Sequence, residues 1–263
     1  VPKRPTLIGL PYDASSSFLR GAAAAPNVIR EAIASPSSNA WTEEGREIVP
    51  GETFVDAGDV EMSPLGEARS LIEHAIAAIV DRGDIPLSLG GDHSVTYPVM
   101  RAIARAHPGV TLLQIDAHPD LYEDFEGDRY SHACPFARIL EEKLVSRLVQ
   151  VGIRTATRHQ REQMQRYGVD TIDMRAWANG RRPELSGPLY VTIDLDGLDP
   201  AFAPGVSHRE PGGLSTREVV SIIQSLPGPI VGADVVELNP SQDVNGVTAM
   251  VAAKLVKELA GRM

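Results

Sequence analysis

The sequence predicts a parallel α/β fold, with one sheet covered by helices on both faces. Three observations predict it. Short β-rich runs alternate with longer helical runs along the chain, the signature of βαβ units. No linker, charge run, internal repeat or low-complexity stretch breaks the alternation, so a single domain over residues 1–263 is expected. The length and a composition 43% hydrophobic and 23% charged suit a globular chain with a sizeable core.

The elements follow in order. PTLIGL (5–10) reads as a strand, and APNVIREAI (25–33) as a helix with a proline near its start. TFVDAG (53–58) is a short strand. PLGEARSLIEHAIAAIVDRG (64–83) is an amphipathic helix with Gly83 as its C-terminal stop. Then come strand IPLSLGG (85–91), helix SVTYPVMRAIARAHPG (94–109), strand VTLLQID (110–116) and helix PFARILEEKL (135–144). Strand RLVQVGI (147–153), helix TRHQREQMQRYG (157–168), strand PLYVTIDLD (188–196) and helix STREVVSIIQSL (215–226) continue the pattern. Strand IVGADVVEL (230–238) and helix NGVTAMVAAKLVKELAG (245–261) complete it. DASSSFLRGAAAA and NGRRPELSG read as loops.

The net charge is −10 and the pI about 5.2. Nucleic acid and anionic membranes attract basic surfaces, so neither is expected as the main partner. An acidic protein suits a small cationic substrate. Cys134 is the one cysteine, which excludes an intrachain disulfide and fits a reducing compartment. No apolar run is long enough for a membrane span and no secretory segment opens the chain. A cytoplasmic protein is expected, with earlier removal of an organelle-targeting segment left open by the start at Val1.

Sites in open α/β sheets lie at the carboxyl ends of strands. Four strand ends here carry acids or histidines. They are Gly91-Asp92-His93-Ser94, Asp116-Ala117-His118-Pro119-Asp120, Asp194-Leu195-Asp196-Gly197-Leu198-Asp199-Pro200 and Glu237-Leu238-Asn239-Pro240. In an extended segment, residues i, i+2 and i+4 share a face. That expectation groups Asp116, His118 and Asp120, and pairs Asp194 with Asp196. Uncompensated, four close carboxylates repel and raise one another's pKa, and no arginine interleaves with these motifs. A divalent cation resolves the repulsion. Two histidines and four carboxylates exceed the ligand set of one structural zinc but suit two metals with shared carboxylates. The oxygen-rich, imidazole-containing set favours Mn²⁺. Two ions roughly 3.5 Å apart can activate one bridging water. Gly90-Gly91 lacks the Lys-Ser/Thr of a phosphate loop.

The three motifs GGDHS, DAHPD and DLDGLDP resemble the signatures of the ureohydrolases, the arginase and agmatinase family. The likeness covers nearly the whole chain. SHACPFARILE and GADVVELNP look most like plant-type arginases, several of which also accept agmatine. The resemblance implies a three-layer αβα sandwich with a mainly parallel eight-stranded sheet and two Mn²⁺ ions per subunit. It implies that His93, Asp116, Asp120 and Asp194 hold one ion and His118, Asp116, Asp194 and Asp196 the other, with Asp116 and Asp194 bridging. The implied reaction is hydrolysis of a guanidino group to urea and an amine, by attack of a metal-bridging hydroxide. Glu237 matches the guanidinium-holding position, Asp120 supports the intermediate and departing amine, and His132 matches a mobile proton-shuttle histidine. A homotrimer or homohexamer is implied.

Animal and classical bacterial arginases read the α-groups of arginine with a Ser-Gly-Asn type loop and an Asp after a GLR strand. This chain has EGDRYSH and GIRTATR instead. That leaves agmatine, or arginine recognised in the plant-type manner, with Arg129, Arg154 and Arg158 as candidates to meet a carboxylate. Other guanidino acids and formiminoglutamate are alternatives. A metal-dependent deacetylase would keep fewer ligands, and a noncatalytic scaffold would not need Glu237 and His132. His208 is read as structural or outer-shell, Asp92 and Asp199 as orienting ligands or capping turns rather than binding metal, and His74, His107 and His159 as without function.

Overall fold

The computed structural model describes residues 4–263. Eight strands form one sheet: β1 (Pro5–Gly9), β2 (Val55–Asp59), β3 (Ile85–Leu89), β4 (Thr111–Ile115), β5 (Arg147–Val151), β6 (Asp170–Ile172), β7 (Leu189–Asp194) and β8 (Ile230–Val236). Their order is β2-β1-β3-β8-β7-β4-β5-β6, and all seven neighbouring pairs are parallel. The helices are α1 (Ala25–Ile33), α2 (Ala68–Asp81), α3 (Thr96–Ala106), α4 (Pro135–Glu141), α5 (Arg158–Tyr167), α6 (Met174–Ala178), α7 (Thr216–Gln224) and α8 (Val247–Arg262).

The central strands are buried along their whole length, because helices cover both faces. Successive side chains alternate between two cores. Leu113, Val191 and Ile193 pack with α1, α7 and α8 residues such as Ile29, Ile223 and Leu259. Leu112 and Tyr190 pack with α2, α3 and α4 residues such as Ile76, Ile103 and Phe136. Sheet and two helical layers make the αβα sandwich. Edge strand β2 is largely exposed, and its Asp56 and Asp59 are bridged by Arg30 of α1.

The alternation in the sequence marks seven of the eight strands. β6 has three residues and α6 five, too few to show a period. β6 is nonetheless paired in register with β5. Among the described residues no helix is long and apolar enough to cross a membrane.

Candidate metal centre and active-site cleft

The four acid- and histidine-bearing segments follow β3, β8, β7 and β4, which are consecutive in the sheet. Parallel strands send all four carboxyl ends to the same edge. Gly91 lets the first segment close in: a Cβ there would lie 1.7 Å from the carbonyl oxygen of Tyr12. Gly90 makes room for the Val236 side chain, whose Cγ1 would lie 2.4 Å from a Cβ there.

Asp116, His118 and Asp120 converge by a different route from the expected extended face. β4 ends at Ile115, and the following segment turns, with Asp120 at φ +50°. Glu237, just past β8, sits at φ +66°. Buried acids in the left-handed region are uncommon, and strain of this kind concentrates at functional sites.

Two acid–imidazole groups result, each with donor atoms close enough to share a cation. The first is His93, Asp116, Asp120 and Asp194, all buried; the second is Asp116, His118 and Asp196. His93 Nδ1 lies 3.1 Å from Asp116 Oδ2, 3.2 Å from Asp120 Oδ2 and 3.1 Å from Asp194 Oδ2. His118 Nδ1 lies 3.1 Å from Asp196 Oδ2 and 3.6 Å from Asp116 Oδ1. Asp116 thus presents one oxygen to each group. Asp194, implied as a second bridge, joins only the first group; its Oδ1 accepts the Asp196 N–H at 2.8 Å.

The hydrogen-bond network fixes how His93 is held. Thr192 Oγ1 donates to Asp234 Oδ1 at 2.5 Å, while Tyr190 and Thr96 hydroxyls donate to Asp234 Oδ2. With its one proton used, Thr192 can only accept from His93 Nε2, 2.9 Å away. The hydrogen therefore sits on Nε2. Nδ1 is buried, has no hydrogen-bond partner among the described residues and faces three carboxylate oxygens. Nε2 is committed in either protonation state, so Nδ1, facing the acids, is the atom available to a proton or to a metal ion.

The electrostatics show the same conflict. Burial pushes Asp194 well above the usual carboxylate range, and the charges of Asp196 and Asp116 add to it. Burial and then Asp116 lift Asp120 to about 6. Burial alone would lower His93, but Asp116, Asp120 and Asp194 raise it well above its ordinary value. Burial opposes, and Asp196 and Asp116 outweigh it, in pushing His118 up to about 12. Protons are retained where cations are needed; a divalent ion at the same point displaces them.

Glu237 and His132 form the next layer. Burial would raise Glu237, but His132 holds it below its usual range. Its Oε1 accepts the His93 backbone N–H at 2.8 Å and meets His132 Nδ1 at 2.8 Å. His132 Nε2 receives the Ser17 backbone N–H at 3.1 Å and lies 2.8 Å from the Ser17 hydroxyl. Burial opposes protonation of His132 and Glu237 favours it, which lifts it to about 9. The ring is 7% exposed and is met at both nitrogens, by Glu237 and by Ser17.

A cleft of about 180 Å³ opens onto these groups. Its walls include His118, Asp120, Asp194, Asp196, His132 and Glu237, joined by residues the sequence did not mark. Those are Ser17, Tyr122, Phe125, Ala133, Thr155, Thr157 and Gln160, with His208 brought in from the role of a bystander. The His208 ring lies 5.3 Å from that of His132 and 6.0 Å from that of His118. Asp92 accepts from Ser15 and Ser94 backbone N–H groups, and Asp199 from Ala201, Gly212 and Gly213, as turn-capping acids do.

The three arginines considered as carboxylate readers do not line the cleft. Arg154 donates to the carbonyls of Gly152, Asp196, Gly197, Leu198 and Glu210, which ties down the loop carrying Asp196. Arg129 pairs with Glu141, and Arg158, its side chain 93% exposed, pairs with Glu162.

Comparison with known proteins agrees with this geometry. Residues 3–261 match the model of the Arginase family. The mitochondrial arginase of Medicago truncatula is 47% identical over 98% of this chain and 81% of its own length. The solved arginase structure from that plant superposes with a TM-score of 0.94 at 46% identity, covering 99% of this chain and 87% of the other. An agmatinase of Bacillus anthracis is 33% identical over 96% of this chain and 89% of its own. The strand order, the acid–imidazole groups and these likenesses agree, and the chain belongs to the arginase family, as a hydrolase of the ureohydrolase type.

Proposed function

We propose that the protein hydrolyses a guanidino C–N bond to urea and an amine, with two Mn²⁺ ions bound and L-arginine as the favoured substrate. The observation that carries this reading is the partnerless His93 Nδ1 facing three carboxylates, beside a second acid–imidazole group that shares Asp116. The higher identity to a plant arginase than to an agmatinase favours arginine.

His93, Asp116, Asp120 and Asp194 would hold one ion, and Asp116, His118 and Asp196 the other. The oxygen-rich set with two imidazoles suits manganese. When bound, the ions supply positive charge and an activated water at neutral pH. The remaining work falls to the protein. Glu237 has one oxygen fixed by His93 and His132, and among the described residues its second oxygen has no hydrogen-bond partner. The pair with His132 keeps it ionised, and its planar carboxylate suits a planar guanidinium fork. The guanidinium carbon is thereby held beside the metal ligands, which supplies proximity. His132 exchanges its proton at Nε2, on the side of Ser17, because Nδ1 is committed to Glu237. Asp120, in the first acid–imidazole group and in the wall of the cleft, is placed to support the intermediate and the departing amine.

Agmatine is the second reading, because among the described residues no lysine or arginine lines the cleft. A homotrimer or homohexamer is part of the same proposal, to be read by light scattering. The test of the metal reading is a pair of variants, Asp116→Ala and Asp194→Ala. Each should lose metal and turnover while keeping the far-UV spectrum of a folded protein. Normal turnover in either variant would overturn it.

A further inference from the structure

A second hollow lies behind the segment that walls the cleft. Between β5 and α5 the chain faces two ways: Thr155 and Thr157 line the cleft, while Arg154 and Ala156 line a groove of about 310 Å³. The division continues along α5, with Gln160 on the cleft and Arg161 and Met164 on the groove. Thr171, Met174 and Arg175 contribute to the rest of its wall, and no residue lines both hollows.

The groove collects positive charge in a chain whose net charge is −10. Arg161 and Arg175 are exposed, and among the described residues neither guanidinium has a hydrogen bond or an ion pair. Neighbouring arginines are committed: Arg158 pairs with Glu162, Arg166 with Glu123 and Arg181 with Asp170. Arg154 hydrogen-bonds backbone carbonyls and no carboxylate. The one acid in the wall is Asp173, whose Oδ1 caps α6 by accepting the Ala176 N–H at 2.7 Å. Three guanidinium groups therefore stand against one carboxylate. Ile153, Met164 and Met174 add apolar surface beside them. Guanidinium forks match the oxygens of carboxylates and phosphates, and an apolar floor suits a carbon body.

We propose that this groove is a second ligand site, separate from the metal-bearing cleft, for a small organic dianion, a dicarboxylate or a phosphate monoester. Arg161 and Arg175 hold its oxygens, and Met164 and Met174 carry its carbon body. Two unpartnered cations match two negative charges, and the groove is roomier than a bare inorganic ion needs. The inference goes beyond the guanidino-hydrolase reading and does not rest on it.

The test is calorimetric titration of full-length, Mn²⁺-loaded protein at low ionic strength with succinate, with glycerol 3-phosphate and with butyrate, a singly charged control. At least one dianion should bind saturably, one per chain, and about 10-fold or more tightly than butyrate; the tighter of the two names the source. The double variant Arg161→Gln/Arg175→Gln should weaken that dianion by about 10-fold or more at unchanged Mn²⁺ content. Both side chains are exposed, so the fold is not at stake. Added salt should weaken binding to the wild type as well. Dianion binding that survives the double substitution would place the ligand elsewhere, at the metal ions or on the general surface, and overturn the inference. Absence of saturable binding by either dianion would overturn it too. If the wild type binds neither and the double variant changes its oligomeric state in light scattering, the groove belongs to an acid of a second copy instead.

Discussion

Glu237 shows how one residue couples the two halves of the site. Its Oε1 is shared by the His93 backbone and the His132 ring, so the residue proposed to meet the substrate also braces the loop of His93 and the proposed proton carrier. Replacing it with the neutral isostere, Glu237→Gln, should lower kcat/KM by about 10–100-fold, the worth of a charge-assisted bidentate pair. Steady-state kinetics on metal-loaded protein would show it, and wild-type kinetics would contradict the role. At this scale the two acid–imidazole groups were legible in the sequence, because acids and imidazoles at the ends of buried strands have few other reasons to be there. The cleft wall was not. Ser17 reaches His132 across 115 residues of sequence, and Thr155, Thr157 and Gln160 are neutral side chains that look like any loop or helix start. The carboxylate readers suggested from the sequence, Arg129, Arg154 and Arg158, lie outside the cleft wall for the converse reason. A guanidinium advertises ion binding in sequence, while the commitment of Arg154 to backbone carbonyls and of Arg129 and Arg158 to Glu141 and Glu162 appears only in three dimensions.

Elements were legible in proportion to their length. Helix 25–33 has its sequence-predicted bounds, because Pro26 and the apolar spacing mark them. The 64–83 helix begins later, at Ala68, after a 3₁₀ turn over Leu65–Glu67. Helix α7 starts at a capping box in which Ser215 Oγ and Glu218 satisfy each other's backbone groups. Ser215→Ala should cost about 1 kcal/mol, and lower Tm by about 2–4 °C in a chain of this size. Differential scanning calorimetry reads this directly, and an unchanged Tm would mean the box contributes nothing. Gly91→Ala should do more harm. Its Cβ would collide with the Tyr12 backbone, and either the loop bearing His93 moves or folding fails. Soluble yield and metal stoichiometry would both fall, and wild-type values for both would contradict the close approach.

The whole molecule is a device for bringing four strand ends together. β3, β8, β7 and β4 are scattered in sequence but adjacent in the sheet, and each supplies one segment of the site. The repulsion this creates makes stability depend on metal and pH together. Asp120 titrates near 6 in the fold because of burial and Asp116, against an ordinary 3.8, and His93 is raised as well. The metal-free fold therefore binds more protons than the unfolded chain. Its stability falls as pH rises from about 4 through 6 and on through the raised value of His93. Cations compete for the same atoms, so metal-loaded protein should escape the loss. The gap in Tm between loaded and chelated protein should widen with pH over this range; a gap that is constant or narrows would contradict the proton–metal competition.

The most direct test of the central claim is urea release by Mn²⁺-loaded protein, with L-arginine and agmatine in parallel against a chelated control. We expect urea that depends on metal, with arginine the better substrate. Two ions bound per chain and no urea from either compound would contradict it.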